Sequence, residues 1–184
     1  GNEVTYNSPQ LISSLKDVEF IECGPNHVFC KTLNNEIYCW GNNNFGQLGL
    51  ENRDNQNAPI LCSSLSKKDI IDIKCGNLHI LVLTSNGDVL SCGNSSFGQL
   101  GRRNNSLLFQ KIKYLPKIKR IECGLFHSMC IDIINDLYFF GYNYFGQLGL
   151  GDNEHRYKPM KHPSLSNIID ISSGGNHTFV KTSN

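Results

Sequence analysis

Three Cys–His pairs recur at one spacing: Cys23 with His27, Cys75 with His79, and Cys123 with His127. Thiolate and imidazole are both zinc ligands, so a metal centre is the first chemistry these residue types could perform. A fourth copy argues against it. Ser173 stands where the cysteine would be, yet Gly174 and His177 keep the pattern. A position filled by either Cys or Ser answers to size rather than thiolate chemistry. Each histidine is therefore expected to be a buried ring bonded to a backbone carbonyl, with no metal and no cofactor. The string Phe-Gly-Gln-Leu-Gly, starting at Phe45, Phe97 and Phe145, is the second candidate, because glycine-rich turns can cradle anions. None of the three ends in Gly-Lys-Ser/Thr or opens a helical pattern. A packing role is expected instead: Phe and Leu plug into the fold, the glycines take positive φ, and the Gln amide bonds backbone. No Gly-x-Ser-x-Gly or His-Glu-x-x-His is present, and no Cys has an acid–base partner in sequence, so no catalytic residues are assigned. Asp69, Asp72, Asp152 and Glu154 fall in turns or alternate outward, as solvated carboxylates do.

The elements that must position these residues come from a repeat. The Phe-Gly-Gln-Leu-Gly string advances in steps of 52 and 48 residues, and the histidine of Gly-x-x-His in steps of 52, 48 and 50. Two markers moving in one register define a unit of about fifty residues. Each unit opens on an alternating run such as Ile71-Asp72-Ile73-Lys74-Cys75, the period of a strand. After the Gly-x-x-His turn comes a continuous apolar run, such as Ile80-Leu81-Val82-Leu83, which fits a strand buried on both faces. Turns at Asn34-Asn35, Asn86-Gly87 and Ile134-Asn135 lead to a third strand ending at Gly41, Gly93 or Gly141. Trp40, Cys92 and Phe140 occupy equivalent core places in it. The glycine-rich loop and a last extended segment near Pro59 or Pro159 complete the unit. No window keeps a helical period. A small antiparallel sheet that is apolar on both faces must stack on neighbours, and the blade of a β-propeller meets that need.

Composition narrows the class. With 17 basic and 16 acidic residues, net charge +1 gives no electrostatic reason for nucleic-acid or membrane binding. No apolar stretch approaches the ~20 residues of a membrane helix, and residues 1–10 carry no signal-peptide pattern. The eight cysteines are expected as reduced core thiols in a cytoplasmic or nuclear setting.

The motif Cys-Gly-x-x-His, a hairpin, an aromatic-Gly and Asn-x-x-Phe-Gly-Gln-Leu-Gly-Leu, clearest over residues 23–50 and 141–152, resembles the RCC1 repeat, the regulator of chromosome condensation family. The resemblance covers essentially the whole chain. It implies an all-β, RCC1-like β-propeller, seven-bladed in the founding members. This chain, read as one repeat domain over 1–184, holds three complete units: 18–69, 70–117 and 118–167. Residues 1–17 read as the tail of a preceding unit, since Pro9 lies fifty before Pro59, and 168–184 open a further one. That organisation fits a segment of a longer propeller or an open arc, whose blade edges could self-associate.

What differs between units is more informative than what repeats. The residue before each histidine is Asn26, Leu78, Phe126 or Asn176, on turns that cap one end of the blades. Leu78 and Phe126 anchor a protein partner if exposed and are packing if not. Arg102 and Arg103 make one loop locally basic. The resemblance implies either guanine-nucleotide exchange on a Ran-type small GTPase or an interaction scaffold within a larger signalling or ubiquitin-ligase chain. In the founding member a polar residue before the repeat histidine contacts the GTPase, and one repeat carries an inserted β-wedge. The four matching residues here are uncharged, and the step lengths leave no room for the wedge. Binding to a protein partner is the expectation, with exchange as the alternative. Eight titratable thiols and no stoichiometric zinc are expected; fewer thiols after denaturation without reductant, or zinc by elemental analysis, would contradict the reading of the Cys–His pairs.

Overall fold

The computed structural model describes residues 7–183. The first sheet holds β1 (Val18–Cys23), β2 (His27–Thr32), β3 (Ile37–Gly41) and β4 (Gln56–Leu61). The second holds β5 (Ile70–Cys75), β6 (His79–Thr84), β7 (Val89–Gly93) and β8 (Ser106–Lys111). The third holds β9 (Ile118–Cys123), β10 (His127–Asp132), β11 (Leu137–Gly141) and β12 (Arg156–Lys161). A two-stranded sheet follows, β13 (Ile168–Ser173) with β14 (Thr178–Thr182). All pairings are antiparallel between sequence neighbours. Ser63–Leu65 is the only helical turn among the described residues. The fold is the expected all-β arc of propeller blades. The Pro9 reading is only partly covered: residues 1–6 lie outside the described residues, and 7–17 form no strand.

The strands follow from their residues. Every position of β6 (HILVLT) and β10 (HSMCID) is buried, as strands covered on both faces require. Neighbouring side chains on such a strand point to opposite faces, and the packing shows it. Val82 joins Phe29, Cys39 and Ile73 in the core between the first and second sheets, whereas Leu81 joins Ile121, Cys130 and Phe140 in the core between the second and third. Met129, Phe139 and Leu148 then pack on Ile168 and Ile171. The second and third sheets are each one wall of two cores.

Position along the arc therefore decides burial. Cys92 and Phe140 are fully buried, but Trp40, their equivalent, is only half-buried, because its face of the first sheet has no sheet against it among the described residues. At the other end Phe179 is 70% exposed. The Leu of each Phe-Gly-Gln-Leu-Gly loop (Leu48, Leu100, Leu148) is fully buried, as expected. The Phe corrects the expectation: Phe45 and Phe97 are half-buried and Phe145 is 62% exposed, so this ring reaches outward rather than into its own blade. All six loop glycines take positive φ, from 67° to 88°. Each loop Gln side-chain oxygen accepts the backbone N–H two residues earlier, at 3.0–3.1 Å.

Fully burying one such aliphatic side chain is worth about 1.5–3 kcal/mol, and truncating it adds a cavity term. Leu81→Ala, at a core between two complete sheets, is expected to cost about 2–5 kcal/mol, and Phe179→Ala less than ~0.5 kcal/mol. Urea unfolding midpoints of the two variants check this, and equal losses would contradict burial on both sheet faces.

Candidate functional site

The Gly-x-x-His turns set one end of the blades. In each, the glycine N–H donates to the histidine carbonyl: Gly24 to His27 at 2.9 Å, Gly76 to His79 at 2.8 Å, Gly124 to His127 at 2.9 Å and Gly174 to His177 at 3.1 Å. The imidazole folds back over the glycine. A Cβ at Gly124 would stand 2.0 Å from the His127 ring, and at Gly76 2.1 Å from that of His79, so only glycine fits. The ring then reaches the next sheet. His79 Nε2 meets Ser128 Oγ at 3.0 Å, and His127 Nε2 meets Thr178 Oγ1 at 3.0 Å. This corrects the expected bond to a backbone carbonyl: the partner is the hydroxyl following the next unit's histidine. After His79 that place holds Ile80, which has no hydroxyl, and both ring nitrogens of His27 are buried without a partner. Burial lowers the His27 and His127 pKa values to about 4 and that of His79 to about 3.

The cysteines before these turns also point across sheets. Cys75 Sγ lies 3.9 Å from the Glu22 carbonyl and Cys123 Sγ 3.5 Å from that of Lys74, while Ser173 Oγ donates to the Cys123 carbonyl at 2.7 Å. Cys and Ser are thus interchangeable as small donors to the preceding sheet. Burial pushes the Cys75 and Cys123 thiols well above their ordinary range, away from the thiolate a metal would need.

Adjacent turns are stitched together. Asn77 N–H donates to the Leu125 carbonyl at 2.9 Å, and Leu125 N–H to that of Gly175 at 3.1 Å. The equivalent Pro25 has no N–H to extend the series. Of the next residues along, Asn26 and Asn176 are exposed, while Leu78 and Phe126 are half-buried. No hydrogen bond or ring contact joins any two of these four among the described residues. Asn176 borders a cleft of about 530 Å³ between the third and last sheets, with Gln147 and His177. Phe126 has different company. Its ring meets Phe97 edge-on at 5.8 Å and Tyr142 at 6.2 Å; Tyr142 lies 4.7 Å from Phe97 and 4.9 Å from His155. Tyr144, stacked on Tyr142 at 6.3 Å, is 63% exposed.

This aromatic face belongs to one repeat. The positions of Phe126, Tyr142 and Tyr144 are Asn26, Asn42 and Asn44 in the first unit and Leu78, Asn94 and Ser96 in the second. The exchange leaves a polar group unpaired. Asn42 and Asn94 accept from the side-chain amides of Gln47 and Gln99, at 2.7 and 3.1 Å. With Tyr142 in that place, Gln147 Nε2 is buried without a partner. A second series escaped the reading of the sequence: Asn55, Asn105 and His155 each accept the backbone N–H of residue 43, 95 or 143, at 2.7, 2.6 and 3.1 Å. Its fifty-residue step is visible in the sequence, but the third member is a different residue type.

The two arginines part company. Arg102 turns inward and donates to the Ser91 carbonyl and hydroxyl, both at 2.8 Å, and to the Leu100 carbonyl at 3.2 Å. It is a strut for its loop, not the free cation expected of a partner-binding residue. Arg103 is exposed, its guanidinium 4.2 Å from the centre of the Tyr157 ring.

The profile of the regulator of chromosome condensation (RCC1) repeat matches residues 34–83, 86–131 and 135–180, more than half of the chain. The chain belongs to the RCC1 repeat family. Each matched unit starts at the turn between the second and third strands of one blade and ends in the second strand of the next, so a sequence repeat spans two blades. Similar proteins include the probable E3 ubiquitin-protein ligase HERC4 of Rattus norvegicus, 42% identical over 101 residues, covering 54% of this chain and 10% of that one. The X-linked retinitis pigmentosa GTPase regulator of Canis lupus familiaris is 38% identical over 82 residues, covering 45% and 8%. Prp20p of Saccharomyces cerevisiae, whose crystal structure was described with its binding to Gsp1p and histones, superposes with a TM-score of 0.84 at 26% identity over 91% of this chain and 44% of that one. The chain spans about a tenth or less of these curated relatives.

The RCC1 histidines predict an acid limb. Unfolded imidazole takes up a proton near pH 6.5, which the buried rings resist until about pH 4. Their contribution is whole above pH 6.5 and is lost as pH falls from 6.5 towards 4. His27→Leu, which removes a ring with no partner, is expected to make urea midpoints less sensitive between pH 7 and pH 5 while holding stability at pH 7. An unchanged acid slope in His27→Leu would assign that limb to other groups.

Proposed function

We propose that these RCC1 repeats form a protein-interaction module that docks a folded partner on the aromatic face of Phe126, Tyr142 and Tyr144. The observation that supports the reading is the unpaired Gln147 amide. A buried donor without a partner costs about 1–3 kcal/mol, and the first two repeats avoid that cost with Asn42 and Asn94. Only the third accepts it, and what stands in place of the asparagine is a half-exposed tyrosine among other aromatics. A cluster of partly exposed rings has the make-up of an interface centre. The partner class that fits the family is a protein of signalling or small-GTPase regulation.

Guanine-nucleotide exchange on a Ran-type GTPase is the second reading. It draws on the kinship with Prp20p and on the position of Asn26 and Asn176 before their histidines. Binding without exchange is favoured because Asn26, Leu78, Phe126 and Asn176 offer no charge to compete for a nucleotide or its metal.

Nucleotide release from a panel of Ran- and Rho-type GTPases, with and without this protein, tests the two together. Phe126→Ala is expected to weaken a bound partner by ~2 kcal/mol, about 30-fold, with no acceleration of release by the wild type. Tyr142→Asn restores an acceptor for Gln147 but removes ring contacts, so stability should change by less than ~1 kcal/mol while binding falls. Acceleration abolished by changes at Asn26 or Asn176 would replace the scaffold reading with exchange.

A further inference from the structure

A groove of about 620 Å³ runs along the flank of the second and third blades, between the loop at Arg103, the segment after β8 at Lys113 and Tyr114, and strand β12. We infer that this groove is a second binding site, and that it takes an extended acidic segment of a partner protein. It lies beyond the aromatic face, which it adjoins at His155.

Charge carries the argument. Basic side chains nearby are neutralised: Lys111 and Lys117 share Asp88 at 2.8 and 2.9 Å, Arg156 holds Asp152 at 2.5 Å, and Lys161 pairs with Asp136. Of the groove's own cations Arg156 is paired in this way, but three others are not. Arg103, Lys113 and Lys158 have no carboxylate partner among the described residues, in a chain whose net charge is only +1. Three unneutralised cations in one concave strip attract carboxylates and steer their approach.

The groove is also built to hold its cations in place. Arg102, bonded inward to Ser91 and Leu100, fixes the loop from which Arg103 projects. The Arg103 guanidinium stands 4.2 Å from the Tyr157 ring centre, and the Tyr157 hydroxyl donates to the Ser96 carbonyl at 3.3 Å. Lys158 Nζ stands 5.5 Å from the Tyr114 ring, which is 73% exposed. Cations stacked on rings lose less freedom on pairing with an anion. Met160, 41% exposed, gives the wall an apolar spot for one side chain of the segment.

Cations beside aromatic rings also serve single-stranded nucleic acids, but that mode needs open ring faces on which bases stack. Here Arg103 and Lys158 already cover a face of Tyr157 and Tyr114. Separate carboxylates along an extended chain match the separate cations better.

The test is fluorescence anisotropy of a labelled twelve-residue Asp/Glu peptide with one central leucine. Binding that weakens with salt and falls at least tenfold in Arg103→Glu/Lys158→Glu is expected. Lys113→Glu, at an exposed position, should lower it independently, so a misfolded double variant would not leave the matter open. Phe126→Ala should leave peptide binding unchanged, which separates this site from the aromatic face. No binding up to 1 mM, equal binding of the peptide with lysine in place of the acids, tighter binding of a single-stranded RNA oligomer, or loss of the peptide in Phe126→Ala would each overturn the inference.

Discussion

Leu81 and Val82 are adjacent in one strand and belong to two different cores. That arrangement obliges every sheet to have a neighbour on each side, since a four-stranded sheet apolar on both faces cannot shelter itself from water. The obligation explains the Gly-x-x-His turn. The ring folds over a residue with no side chain and emerges at the junction, where it meets the next sheet through Ser128 or Thr178. The thiols of Cys75 and Cys123 and the hydroxyl of Ser173 make a parallel set of contacts backward to the preceding sheet. The most regular residues of the repeat are therefore the ones that join blades.

Strands, turns and stacking were legible in the chain because they depend on local alternation and on glycine. The buried leucine and left-handed glycines of each Phe-Gly-Gln-Leu-Gly loop were legible for the same reason. Partners across a junction were not. The histidine bond was expected at a carbonyl and is made to a hydroxyl about fifty residues away, a pairing that depends on which face of one sheet meets which strand of the next. The loop phenylalanine was expected inside its own blade, but Phe97 lies against Phe126 and Tyr142 of the following one. Arg102 and Arg103 are adjacent and chemically alike, and nothing in the sequence tells which one turns inward. Of the proposed contact residues, Phe126 was found by its departure from the pattern, and Tyr142 and His155 could have been found in the same way.

A repeat supplies its own control for separating structure from function. Where all units agree, as in Gly-x-x-His, a packing reason is found in the contacts. Where one unit departs and the departure is harmless, as with Ser173 for cysteine, the same contact survives with another atom. Tyr142 for asparagine is a third kind. The contact is lost, Gln147 Nε2 is left buried and unpaired, and no rearrangement nearby compensates. Among the three loop glutamines that cost falls on one alone, beside a half-exposed tyrosine, which is the reason for proposing a partner at this face.

The same comparison separates His155 from its equivalents without implying strain. Its Nδ1 takes over the acceptor role of Asn55 and Asn105, holding the backbone N–H of Asn143 at 3.1 Å. One edge of the imidazole therefore satisfies the frame, and the ring itself is free to lie against Phe97 and Tyr142, at 5.2 and 4.9 Å. Asparagine could do the first and not the second. His155 thus adds an aromatic surface at no expense to the loop, at the one place where the aromatic face meets the groove of Arg103 and Lys158. The two proposed binding surfaces share one blade junction and would need a rigid element that serves both, and a ring pinned through one nitrogen to the backbone is such an element.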